Sequence, residues 1–529
     1  MQTGKSLLTA LLLAATFTFS ACEKEDDTLP TAPQVTSELS TLPVQQDEAK
    51  VFSVTISAAG KIKEVTATAT SGTVTLSEIT GIGQNTGSAR VNFKAPATVG
   101  TSTISVLVTD QQNQQKQVDI SVEVSEVPPV IVAAGDVDGT WQSGRTYIVR
   151  GNLNVPAGKS LTVEEGVTVI VEGDGSQGGS PEITVRGNFY SYGTAEKPVL
   201  FTVPAARRTK ENMFTGLWGG ILGTMQSQEM VFQHTRIEYA GAPAAEGSPI
   251  VTSGELGAGD PRYSIYFTNP NGRFVMQHST IAYTKDDGMR INQGNFLITN
   301  NTFIYTGATG GDALNLKSGS VGDAAFNVFY QSATNGIKCS NSDDRSPQTD
   351  VNMYNNTAIN CGWRQTKAGR GGSINLEKGG RGKVFNTLVV NCRYGIRFPK
   401  APDNPDITNS TTGHNFYFGN HTTIADEFYP ATGSITKGLF ETAHDVAGAA
   451  NENNPQFASL NISNFDNTTA TSAENLEVPP ANLNFKLQAG SPALGVGKTD
   501  FAPKLATIIA GGKTYTAPSP ASHAGAFGN

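Results

Sequence analysis

The sequence predicts an all-β chain, with a small β-sandwich followed by a long solenoid of short strands. Three observations carry that prediction. Glycine supplies 57 of the 529 residues while charged residues make up only 16%, a balance that suits short strands joined by tight turns. Apolar and polar residues alternate over short segments, as in strands with one buried face. In the second half, similar hexapeptides recur at a nearly constant spacing, the mark of a repeat array. A chain of 529 residues is also too long for one ordinary core, so it divides into domains or repeats.

Residues 1–21 carry Lys5 and then the apolar run LLTALLLAATFTF. The run is too short and wrongly flanked for a transmembrane helix, and it fits a secretory signal. Phe19-Ser20-Ala21-Cys22 resembles a bacterial lipobox. That resemblance implies cleavage before Cys22 and acylation of its sulfur and new amino group, and more than one chain makes a stable membrane anchor. The tether 22–32 continues with EKEDD, which resembles the acidic tag of lipoproteins sent to the outer face of Gram-negative cells. The expected location is therefore the outer membrane, exposed at the cell surface. The plainer alternative for EKEDD is a solvated linker.

A net charge of −8 argues against nucleic acid as a partner, since binding to phosphates needs a basic surface. Cys339, Cys361 and Cys392 remain after Cys22. An odd count without CxxC spacing fits neither a disulfide framework nor a zinc site, so these residues are expected to pack as small apolar groups.

From 33 to 127 the alternation runs through VFSVTISAAG, KEVTATATSGTVTLS, SARVNFKAP, STISVLVTD and QVDISVEVS. About seven strands at that spacing predict a β-sandwich. TSTISVLVTDQQNQQKQVDISVEV resembles the last two strands of bacterial Ig-like domains, although no Cys–Trp–Cys pattern is present. The implied role is a spacer lifting the next domain from the membrane.

Residues 128–529 change character. GDVDGTW (135–141), VPAGKSLTVEEGVTV (155–169), GTAEKPVLFT (193–202), LWGGI (217–221), NFKLQAGSPALGVG (484–497) and the terminal HAGAFGN (523–529) stand out. In these the chain resembles the right-handed parallel β-helix proteins, the pectin-lyase-like family. The resemblance implies the fold and is nearly silent on substrate. The segment 425–483 departs from coil spacing and reads only as a long loop or capping insertion.

DGMRIN, DALNLK, NGIKCS, GSINLE and YGIRFP align at spacings of 25, 23, 37 and 22 residues, one solenoid coil each, with an insertion at 341–350. Period-2 alternation sends Met289, Ile291, Leu314, Leu316, Ile337, Cys339, Ile374, Leu376, Ile396 and Phe398 inward. It sends Arg290, Asn315, Lys338, Asn375 and Arg397 outward as one row ~20 Å long at the ~4.8 Å spacing of stacked strands, flanked by Lys317 and Glu377. Three cations separated by two amides could track an anionic or hydroxyl-rich glycan, and an ordinary solvated sheet face is the competing reading. A second column aligns HTRIEY, HSTIAY, NNTFIY, NNTAIN and FNTLVVN. It places Asn301, Asn356 and Asn386 together as a corner ladder, and His234 and His278 in the turn column of Asn300 and Asn355.

Asp286-Asp287 resembles the DD pair of polygalacturonase-like hydrolases, but Arg290-Ile291-Asn292 half matches their RIK and Gly413-His414 lies far downstream. Arg397-Phe398-Pro399 matches the start of the RxPxxR segment of pectate lyases, with Pro402 where the second arginine belongs. Asp343, Asp344 and Asp350 in SNSDDRSPQTD could hold calcium but lack EF-hand spacing. GRGGSINLEKGGRGK is not a P-loop, and GxSxG and HExxH are absent. The reading that results is a surface lipoprotein whose β-helix binds or adheres to extracellular polysaccharide without catalysis. A lyase for acidic glycan with Lys338 or Arg397 as base is the alternative, and an architectural surface protein is the third. No cofactor is required beyond the calcium that the acidic loop could take.

Overall fold

The computed structural model describes residues 29–343, 345–480 and 483–529. The lipobox Cys22 and the loop residue Asp344 lie outside them. Two compact units meet at Pro128/Pro129.

The first unit is an Ig-like sandwich of two four-stranded sheets. One sheet orders Gln34–Ser37, Ala49–Ser57, Thr86–Lys94 and Thr73–Ser77. The other orders Thr41–Gln45, Gln115–Ser125, Gly100–Asp110 and Ile62–Ala69. Alternate residues such as Val54, Ile56, Val91, Phe93, Val106, Val108 and Ile120 fill the space between the sheets, which is what the period-2 pattern predicts.

The second unit is a right-handed parallel β-helix. Each full coil contributes one short strand to each of three parallel sheets, of nine, ten and eleven strands, called I, II and III here in coil order. Sheet I runs from Gly135–Asp136 to Gly372–Glu377, sheet II from Gly139–Trp141 to Thr411–Gly413, and sheet III from Val130–Val132 to Phe416–Phe418. Register is strict through the repeats: Met289 pairs with Leu314, Leu314 with Ile337, and Ile337 with Ile374. These residues and the other inward positions of the hexapeptides, Cys339 included, are buried in one continuous core. Each aliphatic side chain enclosed there contributes ~1.5–3 kcal/mol. Phe189, Phe232 and Phe274 stack along the same interior, with ring centroids 5.3 and 5.8 Å apart.

The corner between sheets II and III is made by a column of left-handed residues. His234, His278, Asn300, Phe326, Asn355, Asn386 and His414 all have φ between 43° and 60°, a conformation in which Asn and His are the better-tolerated side chains. This corrects the placement of Asn386: Thr357 pairs with Leu388, so Asn386 stacks beside Asn355 rather than Asn356, and its Nδ2 donates to Asn355 Oδ1 at 3.2 Å. The inner column is Thr235, Ser279, Asn301, Asn327, Asn356, Thr387 and Asn415. Within it Asn301 Nδ2 donates to Asn327 Oδ1 at 3.0 Å, and Asn327 Nδ2 to Asn356 Oδ1 at 3.2 Å.

Apolar patches on the outward faces of sheets II and III are covered by the chain's own C-terminal segment. Bridges from Gly413 to Glu441 and from Phe416 to Val446 extend the coil path through part of 425–483. Beyond them Phe457, Ile462, Phe485 and Leu487 pack over Val328, Ile359, Leu388 and Phe416 of sheet III. The hairpin of Thr507–Ala510 and Lys513–Thr516 sets Ile508, Ala510 and Tyr515 on Val231, Val275 and Leu297 of sheet II. Sheet I carries polar residues on its outward face and is left to the loops between coils.

Candidate functional site

Arg290, Asn315, Lys338 and Asn375 are successive register partners on sheet I, and Arg397 joins them through a bridge to Asn375. The same outward row continues upstream through Tyr266, Leu222 and Thr184. There Leu222, Tyr263 and Tyr266 pack under Ile250 of the short helix Pro249–Thr252 and under Ala244. The row is therefore roofed at one end and polar at the other.

The five predicted residues do form one row, but they are neither free nor broadly solvated. Asn315, Asn375 and Arg397 are 2%, 4% and 6% exposed. Asp287 Oδ2 accepts hydrogen bonds from Arg290 Nε at 3.0 Å and Nη2 at 2.6 Å, and from Asn315 Nδ2 at 2.8 Å. Glu377 pairs with Lys338 at 3.2 Å and accepts from Asn375 Nδ2 at 2.6 Å. The alternation that turns the cations outward also turns out carboxylates one strand position or one corner away, so most of the positive charge is neutralised within the row. Arg290 further lies over the Tyr263 ring at 4.2 Å, and Arg397 over Tyr394 at 5.4 Å.

The paired aspartates sit at the corner before sheet I. Asp287 Oδ1 accepts the backbone N–H of Asp312 at 2.8 Å, and Asp312 Oδ1 accepts that of Asn335 at 3.1 Å, so the expected recurrence of corner residues is a hydrogen-bonded ladder. Burial works to raise the Asp287 carboxyl, but the Arg290 charge and the donors around it outweigh this and hold it below the usual range. Burial, then the Asp287 charge, pushes Asp286 and Asp312 up to about 6. Burial pulls the Lys338 ammonium down, but Asp312 and Glu377 hold it above the ordinary lysine range. That direction disfavours Lys338 as a base. Burial lowers the Arg397 guanidinium, whose Nε has no partner.

At the polar end of the row is a cleft of about 200 Å³. It is lined by Lys338, Asn375, Glu377 and Arg397 of the row, by the strap 368–371, and by Pro399 and Asp403. Glycine at 369 and 371, each with positive φ, lets the strap turn tightly back onto sheet I. Sequence reasoning weighed 369–383 only as a P-loop and not as a wall of this cleft, and it missed Asp403 and the two tyrosines under the guanidinium groups. Tyr394 opens the fifth hexapeptide and was open to notice; the strap lies in an inter-coil loop that no periodicity marks.

Of the acidic-loop carboxylates, Asp350 belongs to sheet II and pairs with Arg381 at 3.0 Å and Lys504 at 2.7 Å, while Asp343 lies 3.9 Å from Arg345. These two described carboxylates are drawn to different cations. His234 and His278 stack at 5.0 Å in the corner column, and burial lowers His278, favouring its neutral form.

No family model and no curated protein matches the chain. Among solved structures it is similar to the family 28 exopolygalacturonase of Yersinia enterocolitica, at 9% identity and a TM-score of 0.17, over 73% of this chain and 86% of that one. It is also similar to the BIgI domain of the beta protein from S. agalactiae, solved bound to CEACAM1, at 15% identity and a TM-score of 0.16, over 18% of this chain and 99% of that one. Likenesses this distant carry no argument about the site, and the fold rests on the three parallel sheets and the sandwich themselves.

Proposed function

We propose that the chain is a cell-surface lipoprotein, anchored through Cys22, whose β-helix domain binds extracellular polysaccharide without cleaving it. The observation that carries the reading is the polar end of the sheet I row, where Lys338, Asn375, Glu377 and Arg397 converge in one cleft. The C-terminal segment covers apolar patches on the outward faces of sheets II and III, while the sheet I row ends in this polar cleft. Mixed donors and acceptors on a rigid sheet suit hydroxyl-rich ligands, because a preorganised surface loses little entropy on binding.

One observation favours the lyase alternative, with Arg397 as base. Its guanidinium is lowered by burial and its Nε is unpaired. Against it, Pro402 occupies the place of the second arginine. The full chain, incubated with a panel of neutral and uronate-bearing polysaccharides, separates the readings. Saturable retention without new reducing ends or ultraviolet-absorbing unsaturated uronates is expected. Unsaturated products that vanish in Arg397→Lys would overturn the non-catalytic reading, and absence of retention on every polymer would overturn binding altogether.

A further inference from the structure

Among the described residues three arginines are buried, and two of them have their donors filled. Arg262 is 0% exposed and donates to Glu182 Oε2 at 2.6 Å, Ala242 O at 2.7 Å and Ser180 O at 3.0 Å. Arg364 is 2% exposed and donates to the carbonyls of Thr306, Gly307, Ala308 and Gln331 at 2.8–3.3 Å. Arg397 is 6% exposed, yet its side chain donates to no acceptor among the described residues. Buried polar groups are ordinarily satisfied, and an unpaired buried charge is costly. The Arg397 guanidinium therefore wants an acceptor that the described chain does not supply.

The carboxylates of the cleft are already committed. Glu377 pairs with Lys338 at 3.2 Å and accepts from Asn375 Nδ2 at 2.6 Å, and Asp403 pairs with Lys378 at 3.9 Å. Arg370 and Arg397 line the same space of about 200 Å³ and have no ion-pair partner among the described residues. Two lysines are thus matched by two carboxylates, and two guanidinium groups are left over. Burial lowers the Arg397 guanidinium more than Glu377, Tyr394 and Glu427 raise it, so its charge is incompletely balanced within the fold. A neutral hydroxyl would accept a hydrogen bond there and leave that charge standing. A carboxylate or a sulfate ester accepts through two oxygens and balances it. The Arg397 Nε is sealed from solvent while its Nη groups are not, so the contact open to a ligand is an end-on fork through Nη1 and Nη2. Arg370, exposed on the strap, adds a second cation to the same lining.

We infer that Arg397 seats an anionic group of the bound glycan, a carboxylate or a sulfate ester, a conclusion that rests on the glycan-binding reading. Titration calorimetry of the full chain with two matched pairs tests it: an oligogalacturonate against its methyl ester, and a sulfated galacto-oligosaccharide against its desulfated form. In at least one pair the charged member is expected to bind about tenfold more tightly than its neutral twin, a difference of ~1.4 kcal/mol. The pair that shows the difference tells which acid group is seated. Arg397→Met, which keeps an apolar stem, should erase the difference between the twins. Without ligand, Arg397→Met is expected to leave the urea midpoint level or raise it, because no hydrogen bond is lost, whereas Arg364→Met should lower it. Three results would overturn the inference and leave the binding reading standing: equal affinities within both pairs, a charged preference that survives Arg397→Met, or a midpoint loss as large as that of Arg364→Met. No binding of any of the four probes would overturn that reading itself.

Discussion

Replacing Asp287 by alanine should unlock the sheet I row and cost about 3 kcal/mol. Its carboxylate accepts four hydrogen bonds, from Asp312 N, Asn315 Nδ2, Arg290 Nε and Arg290 Nη2, at 2.6–3.0 Å. Breaking a buried pair by removing one partner costs ~3–5 kcal/mol, because a desolvated charge is left uncompensated. Two features place the loss near the lower end. The Arg290 side chain keeps 24% of its surface in water and its contact with Tyr263, and deletion relieves the repulsion that raises Asp286 and Asp312. Urea unfolding of the full chain followed by tryptophan emission reads the effect in the right unit, since Trp141, Trp218 and Trp363 all lie within 129–529. The midpoint should fall with little change in slope. Arg290→Met should recover part of the loss in the double variant, so the two substitutions are non-additive. Additivity within ~0.5 kcal/mol, or a single-variant loss below that, would refute the keystone role of Asp287.

Asn327→Ala should cost ~2–3 kcal/mol by the same unfolding assay, because the N–H of Asn301 loses its acceptor at 3.1 Å and the bond to Ile298 O at 2.9 Å is lost in a fully buried site where an orphaned polar group costs ~1–3 kcal/mol. A loss under ~0.5 kcal/mol would show that the corner ladder is ornamental. Asp323 gives a pH signature. Burial outweighs its two backbone donors, Lys504 N and Leu505 N, and raises its carboxyl from 3.8 to about 6. The folded state therefore binds the proton more tightly than the unfolded one, so the Asp323 contribution to stability falls as pH rises from 3.8 toward 6 and is level above. Asp323→Asn should flatten stability against pH in that window, and equal slopes for the two proteins would contradict the argument.

The fold was legible because both of its signals are periodic. Alternation fixed which residues of the five hexapeptides turn inward, and the spacing of those hexapeptides set the register that sheet I adopts. Asn386 shows where this stops: a one-residue shift at the corner is invisible when FNT and NNT both look like the same motif, and only strand pairing separates them. The row itself was readable, yet its electrostatics were not. Asp287 stands three residues before Arg290, and Glu377 two after Asn375, but spacing alone does not say that a corner residue will fold back over the strand it precedes. The segment 425–483 was opaque for a different reason. Its first part bridges Gly413 and Phe416 through Glu441 and Val446 without a recognisable hexapeptide, and Phe457 and Ile462 are fitted to the outer surface of coils distant in sequence, contacts that leave no local period.

On the proposed reading, glycan contacts the outward row of sheet I at its polar end. Photo-crosslinking the full chain to a benzophenone-tagged form of whichever oligosaccharide binds, followed by peptide mapping, tests this most directly. Labelled peptides from 335–340 and 366–403, suppressed by excess untagged sugar, are expected. Competable labelling confined to the sandwich or to the C-terminal segment over sheets II and III, with sheet I unmarked, would contradict it.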